Sequence, residues 1–66
     1  MNWEQVKGNW HQVKGRVKEK WGELTDDEVE QIEGRREWLA GKIQERYGIT
    51  LEEAEKQVDD WLEKMD

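Results

Sequence analysis

The sequence contains no cysteine, proline, serine or phenylalanine, and no apolar run longer than three residues. Without cysteine there is neither a disulfide nor a thiolate zinc site to staple a chain of 66 residues, so stability must come from helix packing or self-association. Without serine or cysteine, and with both threonines better used as helix caps, nucleophilic acyl transfer lacks its nucleophile; His11 is the only imidazole that could serve as a base. Short apolar runs lead us to expect neither a transmembrane span nor a secretory leader, with the cytoplasm as the default address. Glycine spacing matches neither a dinucleotide-binding loop nor a Walker loop, and no cofactor or small-molecule substrate is expected.

Charged residues make up 42% of the chain and apolar ones only 33%, a balance close to that of disordered proteins. Five tryptophans in helical register offset it, and the expectation is a folded, very hydrophilic single domain over residues 1–66. The net charge of −6 is distributed in blocks: residues 1–22 are basic, 23–34 acidic, 35–48 basic and 49–66 acidic. Basic helices lying beside acidic ones would screen each other, each pair contributing little.

Glycines at 8, 15 and 22 recur at 34, 41 and 48, an offset of 26 residues. The neighbouring residues follow the same offset, which predicts one helical unit written twice. Two such units suggest two αα-hairpins packed together, an all-α four-helix domain. The first helix is predicted over 3–21 from the apolar steps Trp3, Val6, Trp10, Val13, Val17 and Trp21, with Asn2 and Gln5 as a capping box. Gly22 and Gly48 are predicted as left-handed helix ends. Thr25 with Glu28, and Thr50 with Glu53, are predicted to start the second and fourth helices. A break is expected near Gly34, followed by a third helix carrying Leu39, Ile43 and Tyr47.

Trp3, Trp10, Trp21 and Trp61 lie on apolar faces and are expected to fill the core. Trp38 falls about 140° from the centre of its helix's apolar face. Either a second helix covers it, the arrangement favoured for a four-helix domain, or it marks an exposed partner surface together with Gly34 and Gly41. Gly8, Gly15 and Gly41 interrupt helices opposite the apolar seams. Close approach by another element is expected at Gly41, and solvent at Gly15. His11 reads as solvated, and Asp59, Asp60 and Glu63 as an acidic face rather than a metal site. A basic face of Lys7, Lys14, Lys18, Arg35, Arg36 and Lys42 is the only candidate for nucleic acid, and the overall negative charge opposes it.

The segments Gly8-Asn9-Trp10, Lys14-Gly15, Trp21-Gly22-x-Leu24-Thr25-Asp26-Asp27, Ile32-x-Gly34-x-Arg36 and Gly41-Lys42-Ile43-Gln44-Glu45-Arg46-Tyr47-Gly48 closely resemble the CsbD-like family of small bacterial stress-response proteins. The resemblance spans nearly the whole chain and implies a cytoplasmic helical domain, similar to the SAM-domain-like packing of two hairpins. It brings no catalytic residues. The function it implies is that of a non-enzymatic stress-response protein, a soluble protectant or small interaction module; a protein-binding or self-associating module is the alternative.

Overall fold

The computed structural model describes residues 2–65, which form five α-helices and no strand. These are α1 (Trp3–Gly8), α2 (Trp10–Lys20), α3 (Asp26–Ile32), α4 (Arg36–Tyr47) and α5 (Leu51–Lys64). The expected first helix is therefore two. At Asn9 the backbone turns to φ −112°, ψ 23°, which interrupts the regular ladder, and the carbonyl of Asn9 accepts from Gln12 and Val13 to restart it. Apolar periodicity runs through this break because Val6 and Trp10 both remain buried.

The helix starts follow the capping chemistry. Asn2 and Gln5, and Thr25 and Glu28, form reciprocal capping boxes, while the Thr50 hydroxyl accepts from the Glu53 amide at 3.1 Å. Helix α3 ends on consecutive left-handed residues, Glu33 (φ 53°) and Gly34 (φ 76°). Gly48 closes α4 with φ 64°, as expected. Gly22 does not: α2 ends on Trp21 at φ −120°, and Gly22 has no positive φ.

Helix α4 packs most extensively on α5, and α3 lies against both α2 and α4. The core runs from Val6, Trp10, Val13 and Val17 through Trp21, Leu24, Val29 and Ile32 to Leu39, Ile43, Val58 and Leu62. Trp3 and Trp61 are half-buried against it. The Trp61 and Trp21 rings meet edge to face, with centroids 5.3 Å apart. The indole of Trp10 donates a buried bond of 3.0 Å to the Val29 carbonyl. That carbonyl lies in the last turn of α3, where helices have acceptors without internal partners, so α2 caps the end of α3 through its side chain.

Candidate functional site

Trp38 lies on the outer face of α4 and is 48% exposed. No second helix covers it, which overturns the favoured expectation: α4 is packed by α3 and α5 on its other sides. The Arg35 guanidinium sits 4.8 Å from the centroid of the Trp38 ring, a cation–π contact at the start of α4. Trp38 and Gly41 share a shallow groove of about 460 Å³ with Gln31, Lys42, Gln44 and Glu45. A methyl group at Gly41 would meet nothing within 4 Å, so the close approach expected there does not occur within the chain, and Gly15 likewise faces open space.

Gly34 belongs elsewhere. It is buried, and an added Cβ would lie 2.6 Å from the Lys7 Cα and 3.0 Å from its amide nitrogen. The tight passage of α1 over the α3–α4 turn is what requires glycine, not the Trp38 surface.

Four of the six candidate basic residues are held by carboxylates. Lys14 pairs with Glu30, and Lys18 with Asp26 at 3.0 Å, both across α2 and α3. Arg36 forms a two-pronged bond to Asp59, 2.8 Å on each arm, and reaches Glu55 at 3.3 Å, joining α4 to α5. Lys42 lies 4.0 Å from Glu45. Lys7 and Arg35 border a hollow with Trp10, Glu30 and Glu33. The alternating charge blocks thus pair helix with helix, as the screening argument expects.

Hydrogen bonds from the Thr25 backbone and then from Arg46 hold the Glu28 carboxyl at about 2, below its ordinary 4.5. The bond from Arg36 lowers Asp59, and Asp59 in turn raises Arg36 further above the usual arginine value. Asp59 is therefore committed to an arginine, and among the described residues no group of three His, Cys, Asp or Glu is placed to hold a metal ion. His11 is exposed on α2. No described helix is long and apolar enough to cross a membrane.

One feature escaped the sequence reading. An open groove of about 680 Å³ lies between α2 and the end of α5, lined by Arg16, Glu19, Lys20, Trp61, Lys64 and Met65. Arg16 and Lys20 are one turn apart on α2, which is legible locally. Their meeting with Trp61 and Lys64, more than forty residues later, is not.

Residues 4–56, carrying every glycine and three of the five tryptophans, match the family described as CsbD-like. The chain belongs to the CsbD-like family. Relatives of this CsbD-like chain include the UPF0337 protein of Rhodopseudomonas palustris, 61% identical over 92% of each chain. The UPF0337 protein of Agrobacterium fabrum is 57% identical over 92% of this chain and 91% of the relative. The UPF0337 protein YjbJ of Escherichia coli K12 is 59% identical over 92% and 88%. The matched residues include the caps at Thr25 and Thr50, the Gly34 turn and α4 with Trp38.

Proposed function

We propose that this CsbD-like protein is a non-enzymatic general-stress-response protein of the cytoplasm that works through its surface, as a soluble hydrophilic protectant or small interaction module. Family membership is the observation that carries the reading. The surface chemistry supports it. Mean hydropathy is −1.29, and the large exposed apolar side chains among the described residues are Trp38, Tyr47 and Leu51. A surface so rich in charge, with both signs interspersed and a net charge of −6, favours solubility.

Deletion of the gene, followed by survival counts after desiccation and osmotic upshift, tests the physiological setting. Lower survival restored by the wild-type gene is expected, and unchanged survival together with unchanged protein abundance under stress would refute it. A client enzyme heated with the purified protein tests protection: less aggregation than with an unrelated acidic protein of equal mass is expected.

The exposed indole of Trp38 favours a second reading, a module docking a protein or a second copy through the Trp38/Gly41 groove. Sedimentation of wild type and Trp38→Ala across a concentration series, with capture from stressed cells on both baits, separates this from pure protection.

A further inference from the structure

Among the described residues five of the eleven lysines and arginines are ion-paired, and the cations around Trp61 are not among those five. Lys14, Lys18, Arg36, Lys42 and Arg46 each have a carboxylate partner across or along the helices. No carboxylate of the described residues lies within ion-pair distance of Arg16, Lys20 or Lys64, although the three line one groove. Trp61 is half-buried in that groove and braced by an edge-to-face contact with Trp21, whose own indole is fixed by a 3.1 Å bond to Gln57. We propose that this groove binds single-stranded nucleic acid, with one unpaired base stacked on Trp61 and neighbouring phosphates on Arg16, Lys20 and Lys64.

A braced aromatic ring among cations matches the base-plus-phosphate repeat of a single strand: every base offers a π-face, and the cations follow the backbone. In a duplex the bases are stacked and paired, out of reach of such a ring. An acidic peptide matches the cations but not the indole. A bilayer requires a protruding apolar anchor, whereas Trp61 lies within a concavity. The groove's volume is within the ~300–1,000 Å³ of small-ligand clefts, enough to seat a base.

The net charge of −6 weakens binding without abolishing it. The molecule measures 28 × 23 × 17 Å, and the Debye length at physiological salt is about 8 Å, so carboxylates on the far side are screened. Among the described residues that line the groove, three are cations and one, Glu19, is an acid. This site is independent of the proposed stress function, and either reading survives failure of the other.

Fluorescence anisotropy of a labelled oligo-dT of about ten nucleotides, titrated with the full chain from ~50 mM salt upward, tests the proposal. Saturable binding is expected, with log K falling against log salt with a slope near −2, the value for about three neutralised phosphates of a single strand. Arg16→Glu, Lys20→Glu and Lys64→Glu alter exposed residues and should each weaken binding and reduce the slope by about 0.7. Arg35→Glu makes the same charge change beside Trp38 and should leave the slope unaltered. Trp61→Leu should weaken binding roughly 5- to 150-fold through loss of one base stack. Should circular dichroism show Trp61→Leu unfolded, the three charge reversals decide alone. No saturable binding at ~50 mM salt would overturn the proposal. So would equal weakening by Arg35→Glu, or tighter binding to a duplex or to phosphatidylglycerol vesicles than to the single strand.

Discussion

Gly34 and Gly41 stand seven residues apart, one at the turn between α3 and α4 and the other within α4. A side chain at Gly34 would occupy a left-handed backbone and press on the backbone of Lys7, which cannot swing aside as a flexible side chain would. Overlap and strained φ together lead us to expect that Gly34→Ala destabilises the fold by about 2–4 kcal/mol. Gly41→Ala meets open space on a helix and should stabilise by about 0.5–1 kcal/mol, since alanine favours helix and narrows the unfolded ensemble. Urea midpoints of the two variants check both signs, and a Gly41→Ala protein that melts lower only at high concentration would reveal a second molecule on that face. The sequence places a break near Gly34 and a helix through Gly41; the passage of α1 over Gly34 adds the contact that makes glycine indispensable there.

Helix starts were the most legible elements, because a cap is a contract among residues three apart. Thr25→Ala and Thr50→Ala should each cost about 1 kcal/mol by denaturant melt, the loss of one acceptor for otherwise unpaired amides. Helix ends were less legible where a distant side chain supplies the partner. The Val29 carbonyl is capped from α2 by the Trp10 indole. Trp10→Phe keeps most of the apolar bulk but removes that donor, and it should cost about 1–3 kcal/mol by urea unfolding. The split between α1 and α2 was hidden for a related reason. Asn9 leaves the apolar register intact on either side, so periodicity alone reads one helix where the backbone forms two.

At the scale of the molecule, ion pairs knit the charge blocks together. Glu28 belongs to α3, yet it is held by its own cap and by Arg46 of α4, at 2.9 Å. Its carboxyl titrates at about 2 rather than 4.5, so its contribution is complete above the higher value and is lost as the pH falls towards the lower. Asp59, lowered by Arg36, acts in the same direction. Glu28→Gln preserves an oxygen for the cap but cannot titrate. Its urea midpoint should fall less steeply than the wild type's between about pH 4.5 and 2, and parallel curves would show that Glu28 contributes nothing to acid sensitivity.

The sequence by itself determined the helical class, the capped starts at Thr25 and Thr50, the turn at Gly34, most of the core and the family, because these depend on residue type and short spacing. Tertiary structure decided the exposure of Trp38, the partners of Lys14, Lys18 and Arg36, the close contact at Gly34 and the cationic groove around Trp61. Each of these depends on where residues distant in the chain come to lie. A helical pattern specifies which face is apolar, but not which neighbour covers it or which charges meet across the gap.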